Sequence, residues 1–109
     1  MRALVSDLLL AEDYLVWEAA NGQEALDLLS HGDRPDLILL DLRMPIRGGR
    51  EVLHHLRGSA WADIPVVVHS ADLGTPPAGA VAWLRKPAAP EVLLKTIALQ
   101  LKAAALKGR

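Results

Sequence analysis

Two short, unbroken apolar runs constrain this chain more than anything else in it: Asp36-Leu-Ile-Leu-Leu-Asp41 and Ile64-Pro-Val-Val-Val-His-Ser70. A strand with one wet face alternates apolar and polar residues, whereas an unbroken run belongs to a strand covered on both faces, as in parallel sheets between helix layers. Pro65 stands at the start of the second run, where a sheet tolerates it. The rest of the sequence supplies the helices. Leu4, Leu8 and Ala11 recur at helical spacing and the pattern stops at Glu12-Asp13, which predicts a helix beginning at the first residues. Tyr14 to Ala19 is short, aromatic and β-branched and ends at Asn21-Gly22, which predicts a strand. Gln23 to Ser30 follows as a helix with Ala25, Leu26 and Leu29 inward and Asn21 as its N-cap. Further helices are expected over Glu51 to Arg57 and from Pro90 to about Lys107, the latter with Leu94, Ile97, Leu101 and Ala105 inward, and a short strand over Ala80 to Arg85. Ala71 to Gly79 holds two prolines and two glycines and reads as loop.

Strands alternating with helices predict an α/β domain with a parallel sheet and helices on both faces. At 109 residues, with 51% apolar and 23% charged residues, the chain is expected to form one domain with a buried core. It contains no cysteine, which excludes disulfides, thiolate metal sites and thiol nucleophiles. No apolar run approaches the roughly 20 residues of a membrane span, and no secretory signal is visible, so a cytoplasmic protein is expected. Residues 1–42 are acidic and residues 85–109 basic, but the basic helix lacks interleaved aromatics, so no nucleic-acid partner is expected.

In sheets of this kind function gathers at the carboxyl ends of the strands. Asp41, Ser70 and Lys86 lie at three such ends. A carboxylate, a hydroxyl and an ammonium there make chemical sense if the carboxylate takes up an anionic group as an acyl phosphate, the lysine and the hydroxyl holding its oxygens.

Taken in order, Asp36 to Asp41 with Met44-Pro45 and Gly49, Ile64 to Ala71, and Leu84-Arg-Lys86-Pro87 resemble the receiver domain of bacterial response regulators, as does Glu18 to Leu26. The resemblance covers essentially the whole chain. It implies a three-layer, flavodoxin-like α/β fold with a parallel sheet, reduced here to about four strands. It also implies a role in two-component phosphorelay signalling, no catalytic activity of an enzyme, and a histidine kinase or phosphotransfer protein as partner. Carried over by residue, it makes Asp41 the phosphoacceptor, Ser70 and Lys86 the phosphate-contacting groups, Trp83 the switch aromatic and Lys86–Pro87 a cis peptide. Asp41 and the main-chain carbonyl of Arg43 would be the remaining Mg²⁺ ligands.

The chain departs from that pattern in two places. The family's first strand and the acidic pair that ends it are absent, which makes a Mg²⁺ site weak or missing. Four buried apolar side chains of such a strand are worth about 6 to 12 kcal/mol, comparable with the roughly 5 to 15 kcal/mol that hold a domain together. Direct pairing of Tyr14–Ala19 with Leu37–Leu40, a partner chain, or membership of a longer protein would compensate, and a homodimer is the expected outcome. The stretch between Ser70 and Lys86 is also too short for the family's usual helix, and no output domain is expected. These departures define the alternative reading, a degenerate receiver that carries neither Mg²⁺ nor phosphate and acts by binding or dimerising. His54 and His55 point about 100° apart on one helix and read as surface. His69 reads as a packed, hydrogen-bonded residue, and Trp17 and Trp61 as packing residues.

Overall fold

The computed structural model describes residues 2–32, 34–42, 48–71 and 79–106. Along them run α1 (Arg2–Ala11), α2 (Gly22–His31), β1 (Ile38–Leu40), α3 (Gly49–Arg57), β2 (Val66–Ser70), β3 (Ala82–Arg85) and α4 (Pro90–Leu106). The strands form one parallel sheet in the order β1-β2-β3. All five residues of β2 are buried, as expected of a central strand. Leu40 pairs with Val68 and Ser70 with Arg85, so the three carboxyl ends lie side by side.

The helices form where sequence signals put them. Asn21 caps α2 with extended backbone, its Oδ1 accepting from the Glu24 amide at 2.9 Å, and the Glu24 carboxylate accepts in return from the Ala20 amide at 2.8 Å. Asn21→Ala is expected to lower the unfolding free energy by about 1 kcal/mol, measured by urea titration; an unchanged midpoint would mean the cap contributes nothing. In α3, Val52, Leu53 and Leu56 are buried while His54, His55 and Arg57 are exposed, a one-sided pattern. These three residues join Leu26, Leu40 and Val66 in one core cluster, with Leu29, Ile38 and Trp61 packed against it. Contacts of α2 with α3 and of α1 with α4 pair the helices, and α4 buries Leu93 and Ile97.

Several expectations are corrected. The segment 14–19 carries no strand and joins no ladder among the described residues, so three strands stand where about four were expected. An open cleft separates it from β1, and backbone groups that do not meet cannot pair. For the same reason Leu37, Ile38 and Leu39 are only half-buried rather than covered on both faces. Trp17, expected to pack, is 54% exposed. On α4 it is Leu93 rather than Leu94 that is fully buried, and Ala105 is exposed; adjacent leucines leave the phase of the apolar stripe ambiguous. Ala11 is likewise exposed. The Met44-Pro45 loop, Arg43 and most of the predicted loop after Ala71 lie outside the described residues.

Candidate functional site

Parallel pairing sets the site. Asp41 follows β1 directly, Ser70 is the last residue of β2, and Lys86 follows β3. The Lys86 amide donates to the Ser70 carbonyl at 2.9 Å, which continues the ladder one step beyond β3 and fixes the lysine beside the serine. Downstream of Asp41, Leu42 is buried, and its carbonyl accepts from the Gly49 amide at 3.2 Å, tying the strand exit to the start of α3.

Three of the residues singled out in the sequence converge. The Ser70 hydroxyl donates to Asp41 Oδ1 at 2.9 Å and Lys86 Nζ donates to Asp41 Oδ2 at 2.8 Å. Ser70 is fully buried, whereas the Asp41 side chain keeps 32% of its surface exposed and Lys86 30%, so solvent reaches the carboxylate. Lys86–Pro87 is cis, as the resemblance implied. Trp83 stands on β3 three residues before Lys86 and is 43% exposed.

His69 is the residue that sequence reasoning undervalued. It is 7% exposed, but its Nε2 has no hydrogen-bond partner among the described residues, which corrects the expectation of a bonded histidine. A histidine closing the run Val66-Val67-Val68 was the available signal, since an apolar residue would serve packing better there. Burial pushes its pKa below the ordinary 6.5, and Lys86 pushes the same way against an opposing pull from Asp41. The unfolded chain therefore binds the proton more readily than the folded one. Stability from this group is complete above about pH 6.5 and declines as pH falls from there toward the folded pKa, by at most about 1.4 kcal/mol per pH unit. Urea unfolding at pH 7.5 and 5.5 should show a smaller loss for His69→Leu than for the wild type; equal losses would contradict this assignment.

The described residues do not make a Mg²⁺ site. Magnesium requires near-octahedral oxygen ligands, and among the described residues no three acidic or histidine side chains could share an ion. Asp41 offers one carboxylate whose two oxygens already accept from Ser70 and Lys86. The Arg43 carbonyl lies outside the described residues.

A parallel sheet with helices packed on it that brings a solvent-reachable carboxylate, a buried hydroxyl and an ammonium together at its strand exits defines a class, the α/β domains whose polar residues gather at the carboxyl ends of the strands. Comparison with known proteins gives the family. Residues 1–98 match the response regulator receiver domain, and the chain belongs to that family. It is a receiver domain of two-component signalling. A sporulation initiation phosphotransferase of Bacillus subtilis is 31% identical over 84 residues, covering 68% of this chain and 67% of that protein. The signal receiver domain of a histidine kinase from Syntrophus aciditrophicus superposes with a TM-score of 0.85 at 28% identity, over 94% of this chain and 82% of that one. A response regulator of Thermotoga maritima, solved in complex with Mg(2+)-BeF, gives 0.82 at 26% identity, over 91% and 88%. Against longer regulators it also matches, the chain spans 37% to 40% of their length. Among the described residues no helix is long and apolar enough to cross a membrane.

Proposed function

We propose that Asp41 accepts a phosphoryl group from a histidine kinase or phosphotransfer protein. The observation that carries this reading is the convergence of Lys86 Nζ and Ser70 Oγ on the two oxygens of one partly exposed carboxylate. A carboxylate oxygen of Asp41 attacks phosphorus; the new P–O bond gives an acyl phosphate, the donor's P–N bond breaks, and the imidazole leaves with its electron pair and takes up a proton. Lys86, a compact point charge with three donors, turns from Asp41 to the phosphoryl oxygens, and the Ser70 hydroxyl donates to one of them. Both residues exchange a partner on the carboxylate for one on the phosphoryl group, and that exchange couples phosphorylation to the ends of β2 and β3. Trp83, on the same strand as the Lys86 approach, is the side chain we assign to carry the change to the surface.

The Thermotoga relative in complex with Mg(2+)-BeF motivates including the metal in the assay. Among the described residues Asp41 is the one carboxylate at the site, and charge neutralisation falls mainly to Lys86. Incubation with acetyl phosphate and excess Mg²⁺, followed by intact-mass measurement, should show a gain of one phosphoryl group. Lys86→Ala should reduce the initial rate by about 10²-fold, the usual cost of removing one preorganised electrostatic contact. A wild-type chain that is folded and gains no mass would overturn the reading.

A further inference from the structure

Among the described residues His69 and Ser70 are the buried polar side chains, and of the two only Ser70 has a part in the reaction above. The register of the sheet shows where His69 stands. β1 and β2 pair Leu40 with Val68, and one further step sets Asp41 beside His69; β2 and β3 pair His69 with Leu84, two residues before Lys86. Side chains in register across neighbouring strands share a face, as do residues two apart along one strand. Asp41, His69 and Lys86 therefore project to one face of the sheet at its carboxyl end, and the same cavity is lined by all three, with Ile97 and Leu101 of α4. β2 lies between the strands that carry the lysine and the aspartate. The Lys86 side chain thus crosses two strand spacings, roughly 10 Å, to bring Nζ within 2.8 Å of Asp41 Oδ2. The β2 residue on that face at that level is His69.

The imidazole is 7% exposed and its Nε2 has no hydrogen-bond partner among the described residues. Burial first, and then the Lys86 charge, favour the neutral ring against the opposing pull of Asp41. A neutral imidazole with its proton on Nδ1 offers Nε2 as an acceptor. Lys86 carries three donors and gives one to Asp41. An unpaired acceptor therefore lies beside the path that Nζ takes when it turns from the carboxylate to a phosphoryl oxygen.

We propose that His69 is a positioning residue for Lys86: its Nε2 accepts one of the two remaining Nζ protons as the ammonium moves onto the phosphoryl group, and holds it there. The proposal rests on the reading that Asp41 takes up phosphate. The nitrogen that is unpaired in the resting chain is paired in the phosphorylated one, so the contact favours the product and the approach to it over the ground state.

The test follows initial rates of phosphoryl uptake from acetyl phosphate by intact mass, with a urea midpoint for each protein. His69→Leu should be slower by about tenfold, the worth of one hydrogen bond to a charged group. At pH 7.5 it should nevertheless be no less stable than the wild type, because an apolar side chain replaces an unpaired buried nitrogen. His69→Gln, whose amide oxygen reaches about as far as Nε2, should return the rate to within about twofold of the wild type. In a Lys86→Ala background His69→Leu should change the rate by less than about twofold, since its effect runs through the lysine. Should His69→Leu prove less stable than the wild type, His69→Met takes its place, matched in shape to His69→Gln and without the acceptor. An unchanged rate in the apolar variant, equal slowing by the apolar variant and His69→Gln, or equal effects with and without Lys86 would overturn the proposal while leaving uptake at Asp41 standing. A folded wild type that gains no mass would overturn both.

Discussion

Asp41→Asn is expected to abolish phosphoryl uptake while leaving the fold intact. The amide has the same shape as the carboxylate and still accepts from Ser70 through its oxygen, but its nitrogen cannot accept from Lys86, and a neutral amide is no nucleophile toward phosphorus. Loss of the Lys86–Asp41 pair, both partners being about one third exposed, costs stability of about 1 kcal/mol or less. Uptake and stability thus separate. Intact mass after acetyl phosphate should stay at the unmodified value for the variant, and its urea midpoint should lie close to the wild type. Residual uptake at an appreciable fraction of the wild-type rate would mean that another side chain takes the group.

Gly49→Ala should be strongly destabilising. A Cβ built there would fall onto the Asp41 carbonyl oxygen and within 2.6 Å of Leu42 Cα. Both are backbone, so no rotamer change relieves the overlap, and α3 would have to separate from the β1 exit. Gly49 is itself buried, and its amide holds the Leu42 carbonyl, so that hydrogen bond goes as well. Overpacking of this kind costs about 3 kcal/mol or more. Because the displaced carbonyl belongs to Asp41, phosphoryl uptake should fall along with the urea midpoint. Gly58→Ala, where an added methyl meets nothing within 4 Å, is the control and should unfold within about 0.5 kcal/mol of the wild type. A Gly49→Ala midpoint equal to that of the control would contradict the packing described at the β1 exit.

What could be read in advance follows from which forces are local. Asp41, Ser70 and Lys86 were legible because each stands at the end of a run that reads as a strand, and parallel strands bring their carboxyl ends together whatever the loops do. The α2 cap was legible because Asn21 and Glu24 act within one turn. Tyr14 to Ala19 was misread because its composition favours a strand but strand formation needs an adjacent edge, and the nearest edge lies across a cleft. The α4 stripe was read one residue out of phase, since Leu93 and Leu94 satisfy the same spacing and only the sheet decides between them. For His69, neither its missing partner nor the cleft beside Asp41 could be inferred from a pattern, because both depend on distances between elements far apart in the chain. Gly49 could be recognised as a turn glycine, but not as the residue whose missing side chain lets α3 approach Asp41.

The central claim is that the acyl phosphate forms on Asp41 and nowhere else. It is tested most directly by treating the phosphorylated chain with borohydride, which reduces an aspartyl phosphate to homoserine, and sequencing the fragments by mass spectrometry. Conversion at residue 41, absent without phosphodonor and absent in Asp41→Asn, is the expected result. Phosphoryl gain in the intact protein with residue 41 recovered as aspartate, and the label on a histidine or another carboxylate, would contradict the account.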